Sequence, residues 1–440
     1  MVNPVLLAGA EIGVPDTGDT AWIMTSAALV LLMTPGLAFF YGGMVRSKNV
    51  LNMIMMSVSA MGLVGVLWVL YGYSMAFGTD KAGLIGDPTE FFGLRTLFGG
   101  FGEDSAGVPL TGTIPTLVFV AFQAMFAIIT VALISGAVAD RMKFSAWLIF
   151  AGVWATVVYF PVAHWVWGGG WIFDKIEAID FAGGTAVHIN SGAAALALAL
   201  VLGKRKGWPK TPFRPHNLPF VMLGAGLLWF GWFGFNAGSA LGANGTAAAA
   251  FVTTLVATAA AMLAWLLVEK FRDGKPTSLG AASGIVAGLV AITPACASVN
   301  VLGALVIGVI AGAACALAVG LKFKFGYDDS LDVVGIHLVG GVLGTVLIGL
   351  VGSAEAPTGA AGLFYGGGFD LLWRQAVGAF AVLAYSLVVA AVIALAIKAT
   401  IGLRATPEEE ATGMDESEHA ETAYDFAAVG GTARTAVKEA

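Results

Sequence analysis

Eleven stretches of this sequence are apolar for long enough to cross a lipid bilayer. They cover roughly residues 21–41, 50–77, 113–138, 144–164, 184–203, 217–236, 247–269, 279–296, 299–322, 332–353 and 371–399, and none carries Lys or Arg in its interior. A membrane-crossing helix needs about 20 such residues, and only helices or closed barrels satisfy the backbone in lipid. The expectation is an all-α integral membrane protein with eleven transmembrane helices. Charge supports it: 11% of the 440 residues are charged, against about 25% in a soluble domain. So few charges cannot coat a water-soluble body of this size. A soluble enzyme, a disordered chain and a nucleic-acid binder are excluded. The 60 glycines follow no G-X-Y period and suit helices that pack closely through small residues.

The basic residues set an orientation. The loops after spans 1, 3, 5, 7 and 9 hold fourteen Lys and Arg, while the opposite side holds Lys81, Arg95, Lys175 and Arg374. By the positive-inside rule the N-terminus is expected outside and the C-terminus in the cytoplasm. Residues 405–440 carry nine acids and two bases, a net of −7, and the rest of the chain +1. This acidic tail reads as a solvated, partly disordered terminus. The short Val5–Ala10 run has no basic neighbour, so the N-terminus reads as uncleaved. The expected organisation is an extracytoplasmic segment over 1–20, a membrane domain over 21–403 and a cytoplasmic tail over 404–440.

Ionisable groups inside spans are expensive and therefore informative. His188 lies in span 5 and His337 in span 10. Each follows an aspartate by eight residues, Asp180 and Asp329, and precedes a glycine by four, Gly192 and Gly341. Five spans separate the copies, so the second runs the opposite way through the membrane. That is an inverted 5+5 repeat with a C-terminal helix added, and its pseudo-twofold axis would bring the two imidazoles together near the midplane.

Other chemistries read poorly. Two imidazoles fall short of the three or four ligands of a zinc site, and the aspartates lie about 12 Å away along a helix. There is no H-E-x-x-H, no G-x-S-x-G and no G-x-x-x-x-G-K-[ST]. No metal, no cofactor and no enzymatic activity are expected. Cys296 and Cys315 lie in apolar runs and read as buried small hydrophobes.

The segment Asp180-Phe-Ala-Gly-Gly-Thr-Ala-Val-His-Ile-Asn-Ser-Gly192, with Gly203-Lys-Arg205 after it, resembles the defining segment of the ammonium transporter family, the Amt/Mep/Rh superfamily. Ala163-His-Trp-Val-Trp-Gly-Gly-Gly170, Pro215-His-Asn-Leu-Pro219, Gly231-Trp-Phe-Gly-Phe-Asn-Ala-Gly-Ser239 and Thr293-Pro-Ala-Cys296 agree with it in family order, and bacterial Amt is the branch most resembled. The resemblance implies eleven helices, an external N-terminus and a homotrimer in the cell (plasma) membrane with one pore per subunit.

Carried over to this sequence, the resemblance implies an outer ammonium recruitment site at Trp167 and Ser239, with Phe122 and Phe126 around it. It makes Phe126 and Phe235 the stacked rings that close the pore below. His188 and His337 become the paired imidazoles of the lumen, and Asp180 an acid that shapes the helix and supports conduction. The implied function is ammonium/ammonia transport. The alternatives are an ammonium sensor acting through a partner and an Rh-like gas channel. Gly402-Leu-Arg404 and Glu418-His-Ala-Glu-Thr-Ala-Tyr424 resemble the region through which bacterial members meet a cytoplasmic PII-type signal protein.

Overall fold

The computed structural model describes residues 12–99 and 107–424. The Val5–Ala10 run and the part of the acidic tail from Asp425 onward lie outside the described residues. Among the described residues ten helices are long and apolar enough to cross a membrane. They are α1 (Thr17–Met44), α2 (Val50–Phe77), α3 (Thr116–Ala137), α4 (Phe144–Ile176), α5 (Gly184–Leu202), α6 (Leu218–Gly238), α7 (Gly245–Asp273), α9 (Val301–Phe325), α10 (Val334–Val351) and α11 (Asp370–Thr400). The expected eighth span is shorter. Its helix α8, Ser278–Ile292, has 15 residues and gives way to turns through Thr293, because Pro294 supplies no N–H to continue the ladder.

Short strands fold back in the loops. In chain order β1 is Ile12–Gly13, β2 Asp80–Lys81, β3 Ile85–Gly86, β4 Val108–Thr111 and β5 Ile114–Pro115. A three-stranded sheet has the order β1-β4-β5 with Ile12 opposite Pro109, and β2 pairs antiparallel with β3. The body of the fold is helical.

Capping follows elementary rules. Asp16, Asn217, Asn244, Thr277 and Asn300 each accept a backbone N–H from the first turn of the helix that follows, which satisfies one of its orphan donors. Buried side chains run through the middle of the bundle, whereas Leu263, Phe380, Val388 and Val392 face outward. An exposed apolar belt of this kind suits lipid.

Among the described residues π-helical turns occur in α2 (Trp68–Gly72), in α4 (Ala155–Tyr159 and Ile172–Ile176), and at the starts of α5 (Gly184–Ile189) and α10 (Val334–Leu338). The last two stand at corresponding places and contain His188 and His337. Such turns are rare and gather at functional sites. The glycines four residues on explain the approach. A Cβ on Gly192 would lie 2.5 Å from the Leu338 N–H nitrogen, and one on Gly341 would lie 3.1 Å from the His188 Cβ. Each histidine-bearing helix thus uses its glycine to admit the other.

The described part of the acidic tail is docked. Two short helices, α12 (Pro407–Thr412) and α13 (Met414–His419), dock on the face that holds the basic loops. The Asp415 carboxylate accepts from the Asn52 N–H at 2.8 Å at the start of α2, and the Glu418 carboxylate accepts from the Phe144 N–H at 3.2 Å at the start of α4. Asn49 accepts from the Met414 N–H at 2.8 Å, Arg404 pairs with Glu410, and Tyr424 hydrogen-bonds His216 at 2.8 Å. Acids at helix N-termini meet the positive end of the dipole. Glu410, Asp415 and Glu418 spend their charge on specific partners.

Candidate functional site

A cavity of about 290 Å³ opens where α3 begins and α4 and α6 end, and its wall includes Phe119, Gln123, Phe126, Trp167, Asp180 and Ser239. Of the expected recruitment residues, Trp167, Ser239 and Phe126 line it together, and Phe122 does not. Trp167 donates its Nε1–H to the Asp180 carbonyl at 2.8 Å, which fixes the indole plane. Ser239 closes α6 and donates its hydroxyl hydrogen to the Phe235 carbonyl at 2.8 Å. Its oxygen lone pairs stay available as acceptors. Phe122 stands edge-on to Phe126 at 4.9 Å between ring centroids.

The floor of this cavity is aromatic. Phe126 and Phe235 stack with centroids 4.2 Å apart and planes 26° apart, and Phe126 meets Trp167 edge-on at 6.0 Å. Both phenylalanines are fully buried. Beneath them lies a second cavity of about 10 Å³ walled by Leu37, Ile129, Leu133, Val187, Trp232, Val286 and both histidines. That is room for about one water-sized molecule.

The imidazoles meet in this chamber. His188 Nδ1 and His337 Nδ1 are 3.2 Å apart, with ring planes 26° apart. Two nitrogens in contact share one hydrogen, so one ring donates through Nδ1 and the other accepts. Each neutral imidazole carries a single N–H. One outward Nε2 is therefore an acceptor and the other a donor. His188 Nε2 has no protein partner, although the residue is buried. The pair can offer a small molecule one acceptor and one donor.

Asp180 organises the entrance to α5. Its carboxylate accepts from the N–H groups of Gly183, Gly184, Thr185 and Ala186 at 2.7, 2.7, 2.8 and 3.0 Å. Burial pushes the carboxyl up, and these four donors pull the other way.

Several supporting residues were not singled out from the sequence. The Trp232 indole lies nearly parallel to His188 at 5.4 Å and donates to the Thr293 hydroxyl at 2.8 Å. Asn236 links the same hydroxyl to Thr254. On the basic face Arg205 binds Asp328 and Asp140, and Arg141 donates to the Asp328 carbonyl at 2.6 Å. Arg205 holds the Asp328 carboxyl below its usual value against the opposing effect of burial. Thr293 lay in a motif that pointed here, but nothing in the sequence shows that its hydroxyl meets Trp232. Among the described residues no group of three or more His, Cys, Asp or Glu is placed to hold a metal.

The sequence matches the model of the Ammonium Transporter Family over residues 21–424. An ammonium transporter of Mycobacterium tuberculosis is 68% identical, with 96% of this chain and 93% of that one covered. One from Aquifex aeolicus is 51% identical, covering 93% and 94%. Among solved structures, Mep2 of Saccharomyces cerevisiae is similar with a TM-score of 0.80 at 36% identity, covering 89% of this chain and 88% of that one. A sensor Amt protein is similar with a TM-score of 0.82 at 28% identity, covering 91% and 98%. With ten helices fit to cross a membrane and this family match over nearly the whole chain, the protein is a multi-pass membrane protein of the ammonium transporter family.

Proposed function

We propose that this protein moves ammonium nitrogen across the cell membrane by recruiting the ion outside, removing its proton and passing ammonia along the histidine pair. In this reading α8 completes eleven crossings, the N-terminus is external and the docked tail is cytoplasmic. The observation that carries it is the sequence of environments: an aromatic and hydroxyl cavity, two stacked phenylalanines, then a one-molecule chamber with a donor and an acceptor imidazole.

The energetics favour ammonia inside. Taking a compact cation out of water costs on the order of 20 kcal/mol in the Born limit and several after relaxation. Deprotonating an alkylammonium of the lysine kind at neutral pH costs roughly 4–5 kcal/mol. A passage lined by Phe126, Phe235, Leu37 and Ile129 therefore selects the neutral species. At the entrance, a ring face such as that of Trp167 attracts a cation by about 0.5–2 kcal/mol. The Ser239 oxygen accepts an N–H that potassium lacks. Asp180 holds the start of α5 in register with this cavity.

The test is ammonium-driven alkalinisation of proteoliposomes. His188→Ala and His337→Ala are each expected to change the rate or its selectivity, and wild-type behaviour in both variants contradicts the proposal. A homotrimer and a PII-type partner at the tail complete the reading, and deletion after Arg404 is expected to abolish PII recruitment. A second reading, ammonium sensing through a partner, is favoured by the likeness to the sensor Amt protein and by the docked tail. Specific ammonium binding without any flux would support it.

A further inference from the structure

Asp180 and Asp329 stand eight residues before His188 and His337, and each accepts N–H groups at the start of a histidine-bearing helix. Their carboxylates are nonetheless held differently. Both oxygens of Asp180 are taken by backbone donors. Asp329 Oδ2 accepts from the Val334 N–H at 2.7 Å, whereas Asp329 Oδ1 is buried with no hydrogen-bond partner. The residue is 1% exposed. A bare buried carboxylate oxygen is costly unless it has work to do.

The charged and titratable groups around Asp329 are few. Lys322 from α9 spends its ammonium on the Asp329 carbonyl at 3.0 Å and on the Asp332 carboxylate at 2.6 Å. Tyr41 of α1 and Tyr327 both feel the Asp329 charge, and the Tyr41 hydroxyl donates to the Leu133 carbonyl. The adjacent Asp328 is committed to Arg205. None of these side chains is hydrogen-bonded to Oδ1, which is buried without a partner.

We propose that Asp329 is a proton-accepting station on the basic side of the pathway, where Oδ1 receives the proton that ammonium has shed. The proposal rests on the transport reading above and extends it to the fate of the proton. In this step an N–H bond of an imidazolium breaks and an O–H bond forms on Oδ1. The carboxylic acid then returns that proton to water on the basic face, and no other bond changes. Asp329 lies in the turn before α10 and His337 within its first turns, with no hydrogen bond between them, so in this proposal the transfer runs through intervening water. Burial pushes the Asp329 carboxyl up to about 6, with Lys322 pulling it down and Asp332 pushing it up. A group that titrates there can both take and release a proton near neutrality.

The experiment compares purified wild type, Asp329→Asn and Asp329→Glu in proteoliposomes. Two readouts are recorded: the current evoked by an ammonium jump and the pH inside the vesicles. The expected result is a sustained wild-type current that falls at least tenfold in Asp329→Asn and that Asp329→Glu retains, with internal alkalinisation greater in Asp329→Asn than in wild type because ammonia then enters without its proton. An undiminished current in Asp329→Asn overturns the proposal. So does loss of both signals in an Asp329→Asn protein that elutes and melts as wild type. Wild-type alkalinisation without current also overturns it while leaving ammonia conduction standing. Absence of both signals in the wild type overturns the transport reading itself. If Asp329→Asn fails to fold, the wild-type current is titrated against internal pH. A midpoint near 6 that Asp329→Glu displaces supports the proposal, and an undisplaced one contradicts it.

Discussion

The Trp167 indole donates to the carbonyl of Asp180, and the carboxylate of that same aspartate caps α5 with four N–H contacts. The cavity walled by Trp167 and Ser239 and the helix that carries His188 therefore share one residue. Asp180→Asn keeps the shape but gives up the charge that suits a helix N-terminus. It is expected to lower stability by about 1–2 kcal/mol and ammonium flux by at least tenfold. Thermal melting and vesicle flux measure the two effects.

Trp167→Leu removes the ring face from that cavity. The apparent affinity for ammonium is expected to fall about 2- to 30-fold, the equivalent of 0.5–2 kcal/mol, while maximal flux changes less. A concentration series of ammonium jumps separates affinity from rate. Equal affinities would remove Trp167 from recruitment.

Phe126 and Phe235 close the way between the two cavities. Phe235→Ala opens that floor to water. The ammonium-evoked signal is then expected to become sensitive to potassium, which the wild type ignores. A competition experiment with potassium chloride at fixed ammonium tests this.

Asp329 also predicts a pH dependence of stability. Its carboxyl is raised to about 6 by burial, above an unfolded value near 3.9. The folded state thus binds the proton more tightly than the unfolded chain does. This contribution is fully present below about pH 4 and is lost as pH rises through about 6. Melting temperatures from pH 4 to 7 are expected to carry this downward contribution with rising pH in the wild type and to lose it in Asp329→Asn.

The docked tail depends on Asn49, which accepts from Met414 and donates to Asp140. Asn49→Ala is expected to free the tail. Trypsin should then cut after Arg404 several-fold faster than in the wild type. An unchanged cleavage rate would place the hold elsewhere, in Asp415 and Glu418.

Much of this was legible in the sequence because the signals are local and long. Ten spans follow from apolar runs, and the meeting of His188 and His337 follows from the repeated Asp-x7-His-x3-Gly spacing. The eighth span read too long because the turns after Ile292 are as apolar as the helix before them. The π-helical turns were hidden, since no residue type marks that hydrogen-bond shift. Asp180 and Asp329 look alike in the chain, and only the number of following backbone N–H groups that reach each carboxylate tells them apart. The docking of residues 407–424 was hidden as well. A net charge of −7 says nothing of the helix N-termini that Asp415 and Glu418 reach.

The central claim is that ammonia passes the histidine pair in the chamber beneath Phe126 and Phe235. Its most direct measurement is ammonium-evoked current and internal pH in proteoliposomes holding wild type, His188→Ala or His337→Ala. The account predicts fast alkalinisation or sustained current in the wild type, insensitive to potassium, and an altered rate or lost selectivity in each single variant. Flux and selectivity indistinguishable from wild type in both variants would contradict it.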